Sequence, residues 1–312
     1  MSHRFSDINE SKANFDEIYM MDDPRGYFSV LGALDYMIPD VAEPVIRQIL
    51  AARARQLRRE PLVLDIGCSY GINAAVHRFP VTFGTLRRRY ARREMMSVSS
   101  NELAQLDCNF YASWPDTGIG RFIGLDASAP AIRYARQVGL IDKGVVADLE
   151  RDPLSQSAAD VVRKADVLLS TGSIGYVTER TYRSILGTLE RPPWVVSFVL
   201  RMFPYEEMSA TLKRFGLVTE RLAGVTFVQR RFRDVAEFER SLEALAARGV
   251  DTSGFESDGL FQADLFVSRL EADVEALPLE DLITVISGRN RPVGTRYVQV
   301  ETDEGMQIGL EP

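Results

Sequence analysis

The chain has 312 residues, of which 46% are hydrophobic and 26% are charged, a composition typical of a globular protein with a buried core. Its net charge of −7 disfavours nucleic acid as a partner, because such binding draws on many cationic contacts to phosphates. No run approaches the roughly 18 consecutive apolar residues of a membrane span, and Met1–Asn14 lacks the apolar stretch of a secretory signal.

Cysteine and histidine are scarce in this sequence. The cysteines are Cys68 and Cys108, and the histidines are His3 and His77. Two cysteines form no disulfide framework, and two histidines offer little to a zinc ion. The composition therefore predicts no metal site and a reduced, cytoplasmic setting.

Residues 1–58 are predicted to form an N-terminal lid and a helix. The first 40 residues contain turn formers such as Asp23-Pro24, which predict an irregular path. They are also rich in aromatic residues, which indicates packing over the core rather than disorder. From Asp40 to about Arg58, apolar residues recur at helical spacing, with acids at the start and arginines at the end.

Apolar runs that alternate with helical patterns then predict an α/β fold. Helices begin at Ser128 and at Thr178, each a residue type that caps helix N-termini. The alternation implies parallel strands with ligands at their carboxyl ends. Leu217–Arg231 looks extended as well. The remaining predicted strands are Pro61–Leu64, Arg121–Leu125, Gly144–Ala147, Ala165–Leu169, Trp194–Leu200 and Leu260–Val267.

The first strand runs into a glycine-bearing turn and then a helix, over Val63–Gly71. Gly67 and Gly71 let the backbone turn sharply and approach a ligand closely. Amide groups at the start of the following helix favour a carboxylate or a phosphate. Glycine after a strand is also ordinary turn chemistry, so this motif needs support from elsewhere.

Three later strand ends supply that support. Asp126 follows the second strand, where it suits the two hydroxyls of a ribose, and Asp148 with Leu149 follows the third, where it suits an adenine. The fourth strand ends in the small residues Ser170 and Gly172, which leave room for a ligand. Each acid alone could be a helix cap, but together they fit one nucleoside in the correct order.

On these residues the chain resembles the class I S-adenosylmethionine-dependent methyltransferases, over about Pro61 to Leu200. The resemblance implies an enzyme with a Rossmann-like, mostly parallel seven-stranded sheet, helices on both faces and a reversed last strand. It also implies S-adenosylmethionine as the cofactor, with Asp65, Gly67, Ser69 and Gly71 at the methionine portion. Asp126 and Ala127 would lie at the ribose, Asp148 and Leu149 at the adenine, and Ser170 and Gly172 near the methyl group.

Two departures from the family pattern stand out. Ser69 replaces the middle glycine of the turn, where its hydroxyl could still bond the methionine carboxylate. The ribose acid is expected about 20 residues after a glycine turn, but the separation between Gly71 and Asp126 is much larger. We therefore expect an insertion at about 83–115, which contains the basic run Arg87–Arg93. Glu94 and Glu102 are rejected as the ribose acid, because neither follows an apolar strand.

Candidate catalytic residues are few. Tyr176 and Glu179 follow the fourth strand and are the best placed, while Tyr19, Asp22 and Asp23 could reach over from the lid. His77 is expected to be structural. Lid and insertion are expected to shape the acceptor site rather than the cofactor site.

The predicted function is methyl transfer to a small molecule, at oxygen or nitrogen, in bacterial specialised metabolism. Two alternatives stay open. One is a methyltransferase that acts on protein or RNA, which Arg87–Arg93 favours, although a solvated helix face explains the same run. The other is a non-catalytic, cofactor-binding regulator or assembly partner.

The sequence divides into the lid and helix, a core over 59–270 and a C-terminal extension over 271–312. In the extension, Arg296–Val300 and Met306–Leu310 alternate in character and predict a β-hairpin. An isolated hairpin is marginal in water, so it must dock on the core or on a second subunit. A homodimer is therefore an open alternative, as is a frayed tail.

Overall fold

A single large β-sheet organises the computed structural model, which describes residues 16–285, 297–302 and 305–310. Met1–Asn14, which includes His3, and residues 286–296 lie outside the described residues. The strands of the sheet are β1 (Leu62–Ile66), β2 (Arg121–Asp126), β3 (Lys143–Val146), β4 (Val167–Thr171), β5 (Trp194–Leu200), β6 (Leu217–Arg221), β7 (Phe227–Arg231) and β8 (Leu260–Leu270).

The strand order is β3-β2-β1-β4-β5-β8-β6, and β7 pairs with β8 beside this path. The first five strands pair in parallel, whereas β8 is antiparallel to both β5 and β6. The mostly parallel seven-stranded path with a reversed last strand is thus confirmed, and β7 is an addition to it. The chain order reverses between β1 and β4, which is where open α/β sheets bind ligands.

Helices cover both faces of the sheet and bury two hydrophobic clusters against it. Among the described residues, no helix is long and apolar enough to cross a membrane. The helices are α1 (Asp16–Tyr19), α2 (Arg25–Ala33), α3 (Ile38–Leu57), α4 (Ile72–Arg78), α5 (Phe83–Tyr90), α6 (Arg93–Ser97), α7 (Ser100–Ala112), α8 (Ala129–Gln137), α9 (Gln156–Val162), α10 (Glu179–Leu186), α11 (Glu206–Arg214), α12 (Val235–Ala247), α13 (Glu271–Ala276) and α14 (Leu279–Leu282).

The N-terminal segment is more regular than its turn formers suggest, and the prediction of an irregular path was wrong over Arg25–Ala33. This helix contains two glycines, each of which costs about 1 kcal/mol relative to alanine. Tertiary packing offsets that cost, because the ring of Phe28 stacks on Tyr90 at 4.8 Å between centroids. A Cβ at Gly32 would lie 2.6 Å from Cδ of Arg87, so a larger residue there would displace this arginine side chain.

The segment between α4 and β2 forms three helices, α5, α6 and α7, and contains the basic run. The carboxylate of Asp107 is fully buried and accepts hydrogen bonds from Arg89, Tyr90 and Tyr134 at 2.7–3.0 Å. This network joins α7 to α5 and α8. One arginine of the basic run is thus committed to the interior of the fold.

The C-terminal strands β9 (Tyr297–Thr302) and β10 (Gly305–Leu310) pair antiparallel, with Gly305 opposite Thr302. They form a hairpin of the kind that the alternating pattern predicts. Docking of this hairpin on the core or on a second subunit stays a prediction.

Candidate functional site

A sharp turn follows β1, where Gly67, Ser69 and Gly71 all have positive φ angles of 73°, 48° and 81°. Gly67 permits a close approach, because a Cβ there would lie 2.6 Å from Cβ of Ser173 in the loop after β4. Ser69 adopts the left-handed conformation without being glycine, which costs roughly 1–2 kcal/mol. Its hydroxyl oxygen is buried and has no hydrogen-bond partner among the described residues.

Asp65 is the last acid of β1 and is fully buried. Its Oδ1 accepts a hydrogen bond of 2.8 Å from Asn73, while no group in the described part of the chain bonds its Oδ2. Burial is the main cause that raises the pKa of Asp65 to about 7. The hydrogen bond from Asn73 opposes this rise, and the charge of Asp126 contributes to it. The site therefore holds a carboxyl group that titrates near neutral pH.

Asn73 is a residue that the sequence analysis missed. Its Nδ2 donates to Thr171 Oγ1 at 2.9 Å as well as to Asp65, so it joins the ends of β1 and β4. The available sequence signal was a polar residue in the first turn of the short helix directly after the glycine turn. Such a residue is buried only if its partners are already in place.

Asp126 ends β2, and its carboxylate faces the turn after β1. It accepts hydrogen bonds of 2.8 Å from the backbone amides of Ser69 and Ser128, and the amide of Ala127 also contributes. Burial raises the pKa of Asp126 in spite of these bonds. A carboxylate has about four acceptor positions, so capacity remains for a ligand.

Asp148 and Leu149 follow β3 at the same edge of the sheet. Asp148 is half-buried and lies 3.3 Å from Arg151, while Leu149 is buried in the core. The amide of Ala147 donates to the carbonyl of Asp126 at 3.0 Å, which holds the two strand ends together. The acids that were predicted to bind a nucleoside therefore lie on neighbouring strand ends.

Ser170, at the end of β4, and Gly172, directly after it, have different structural roles. The hydroxyl of Ser170 is fully buried and lies 2.6 Å from that of Ser173, which donates to the carbonyl of Ile66. Ser170 thus supports the loop from within. Gly172 has a φ of +88°, and a Cβ there would meet the side chains of Gln229 and Tyr36.

The lid places a tyrosine over this edge of the sheet. The pKa of Tyr19 is raised well above its usual value by burial, and the charges of Tyr36, Tyr176 and Asp126 raise it further. The hydroxyl of Ser128, which follows β2, donates to the carbonyl of Tyr19 at 2.5 Å, so Tyr19 lies beside the strand end of β2. The lid is held there by Tyr70, whose hydroxyl lies 2.8 Å from the carbonyls of Ile18 and Met21.

The other candidates are placed differently. Asp22 pairs with Arg133 on the surface, and Asp23 accepts bonds from Arg25 and Ser100, which joins the lid to α7. Glu179 begins α10 and lines a small hollow with residues of α11.

The second histidine lies away from these strand ends. His77 is fully buried with its ring parallel to that of Phe122, and burial lowers its pKa to about 3. Its place in the core agrees with the structural role that the sequence suggested.

Several solved structures are similar to this chain, at low identity. The plantazolicin methyltransferase BpumL in complex with SAH is 10% identical, with a TM-score of 0.41, over 86% of this chain and 98% of that chain. A TehB-like SAM-dependent methyltransferase from Corynebacterium glutamicum is 17% identical, with a TM-score of 0.33, over 70% and 92%. The precorrin-6y C5,15-methyltransferase from Geobacter metallireducens is 11% identical, with a TM-score of 0.35, over 72% and 86%.

No family model matches the chain, and no curated protein matches it either. The strand order and the strand directions described above define the fold.

Proposed function

We propose that this chain is an S-adenosylmethionine-dependent methyltransferase that acts on a small molecule, at nitrogen or oxygen, in bacterial specialised metabolism. One observation carries the proposal. Oδ2 of Asp65 and Oγ of Ser69 are buried and unbonded in the described part of the chain, on the turn that also faces Asp126. Buried polar atoms without partners cost about 1–3 kcal/mol each, so a polar ligand at this turn would stabilise it.

The residues present fit that cofactor. Asp65 and Ser69 offer an acceptor and a hydroxyl to the amino and carboxylate groups of its methionine portion. Asp126, held by backbone amides, offers its remaining acceptor position to a ribose hydroxyl. Asp148 and Leu149 would flank the adenine. When bound, S-adenosylmethionine supplies an electrophilic methyl group on a positively charged sulfur.

The part of the protein in such a transfer is mainly to position groups and to exclude water. Holding two reactants in the correct geometry is worth up to about 7–11 kcal/mol in well-oriented systems. The lid can contribute, because Tyr19 lies beside the strand end of β2 and aromatic faces attract cations. The amide of Tyr176 donates to the carbonyl of Ser173 at 3.0 Å in the loop after β4, whereas Glu179 begins α10, so Tyr176 is the better supported of the two candidate catalytic residues.

The choice of a small acceptor follows from the lid and from the fate of the basic run. Arg89 pairs with the buried Asp107, and Arg87 lies 3.9 Å from Asp35. The first pair removes one cationic charge from any surface for RNA or an acidic protein, whereas Arg87 remains exposed beside Asp35. The alternative of a protein or RNA substrate rested on this basic run, Arg87–Arg93.

A transfer screen tests the proposal. The purified protein is incubated with S-adenosylmethionine that carries a radiolabelled methyl group, together with metabolite, protein or RNA fractions of a bacterial extract. We expect label in the metabolite fraction, and none with the Asp126→Ala variant as the control. Label in protein or RNA would overturn the choice of acceptor. If the folded protein binds the cofactor but labels no fraction, the alternative of a non-catalytic, cofactor-binding regulator is favoured.

A further inference from the structure

The carboxamide of Gln229, on β7, belongs to none of the strand ends that the sequence singled out. The residue is 3% exposed, and within the described residues no donor reaches its Oε1. Its backbone is fixed, because the Gln229 carbonyl accepts a hydrogen bond of 2.8 Å from the amide of Met37. Two residues further along β7, the amide of Arg231 donates to the carbonyl of Leu34 at 2.8 Å. The connection between α2 and α3 therefore holds the backbone of β7 in place on both sides of Arg230.

The carboxamide lies directly against Gly172. A Cβ at that position would be 2.5 Å from Nε2 of Gln229 and 3.9 Å from the hydroxyl of Tyr36. With a φ of +88°, residue 172 is strained for any side chain, and glycine leaves the space to Gln229. The family resemblance implies that the transferred methyl group lies near this glycine, and on that basis Gln229 would lie beside the acceptor.

Among the described residues, the groups around the carboxamide carry no unpaired charge at neutral pH. Burial raises the pKa of Tyr36 to about 12, so its phenol stays protonated at neutral pH. The charge of Arg230 is matched by Glu237, which accepts two hydrogen bonds from it at 2.7 and 2.9 Å. A half-turn of the carboxamide exchanges its oxygen and nitrogen, so the unbonded oxygen can take the position of Nε2 next to Gly172.

We propose that Gln229 binds the methyl acceptor, and that its Oε1 accepts a hydrogen bond from an N–H or O–H of the nucleophile. This inference rests on the proposed function and narrows it to nucleophiles that carry a hydrogen, such as amines and hydroxyl groups. The carboxamide orients the nucleophile and is not a base. The lone pair of the nucleophile forms the bond to the methyl carbon, the carbon–sulfur bond breaks with its electrons on sulfur, and the proton of the nucleophile passes to water.

Sinefungin, a cofactor analogue, tests the inference without knowledge of the acceptor. It carries an amine where the sulfonium methyl group would be, whereas S-adenosylhomocysteine carries nothing there. Calorimetry gives the dissociation constants of both ligands for the wild type and for Gln229→Leu. We expect the variant to lose roughly 10-fold in affinity for sinefungin, as for a hydrogen bond to a charged group, and less than about 3-fold for S-adenosylhomocysteine.

Gln229→Glu and Gln262→Leu complete the experiment. Gln229→Glu keeps the shape of the side chain and should favour sinefungin over S-adenosylhomocysteine by more than the wild type does. Gln262 is a buried glutamine on β8 that pairs with Thr226, so Gln262→Leu should change both affinities equally. If neither Gln229 variant alters the ratio of the two affinities, the inference is wrong while the proposed function stands. If the folded wild type binds neither ligand, both fall.

Discussion

Asp65→Asn should stabilise the protein at neutral and alkaline pH, although it removes a group from the candidate site. The pKa of Asp65 is raised to about 7 from an ordinary value near 4, mainly by burial. Between these pH values the folded protein holds a proton that the unfolded chain has lost. Stability therefore falls as the pH rises through this window, and above pH 7 the full cost is present.

The magnitude follows from the size of the shift. About three pKa units correspond to about 4 kcal/mol, which is the upper limit of the gain from Asp65→Asn above pH 7. The variant keeps a carbonyl oxygen for the hydrogen bond from Asn73, which measures 2.8 Å in the wild type. Between pH 5 and pH 8 the stability advantage of the variant should grow by roughly 2–3 kcal/mol.

Urea unfolding at several pH values measures this difference. Asp142→Asn is a suitable control, because Asp142 pairs with Arg121 at the surface and such pairs contribute at most about 1 kcal/mol. The control should change little over the same range. A difference between wild type and Asp65→Asn that is constant from pH 5 to pH 8 would refute the reasoning.

Three further predictions concern the same edge of the sheet. Asp126→Ala should weaken binding of S-adenosylhomocysteine by calorimetry far more than Glu102→Ala, because Glu102 caps α7 and lies on no strand end; equal losses would contradict the assignment. Ser69→Val should lower the free energy of unfolding by roughly 2 kcal/mol relative to Ser69→Gly, because a branched residue is strained at positive φ; equal stabilities in urea would show that this strain is absent. Tyr70→Phe should speed hydrogen exchange over residues 18–21, because it removes the bonds that hold the lid; unchanged exchange would mean that other contacts hold it.

The strands at the centre of the sheet were predictable from the sequence. Trp194–Leu200 was predicted with the bounds that the structure has, because an apolar run buried on both faces has a clear pattern. The helices after Ser128 and Thr178 begin where these residues cap them. The strand-end acids follow from the same pattern, since parallel strands bring their carboxyl ends to one edge.

The rest depends on contacts between distant parts of the chain. The helix Arg25–Ala33 contains two glycines, and its stability comes from aromatic packing on α5 that no local pattern reveals. Gln229 reaches Gly172 only because β7 joins β8 and also bonds the connection before α3. A polar residue in a strand gives no sign of such a position.

The central claim is that the turn after β1 and the acid after β2 bind S-adenosylmethionine. Titration of the folded protein with S-adenosylhomocysteine in a calorimeter, with a chelator present, tests it most directly. We predict binding with a dissociation constant of micromolar order, about −8 kcal/mol, and loss of that binding in Asp126→Ala. Absence of any binding by a wild-type protein shown to be folded would contradict the account.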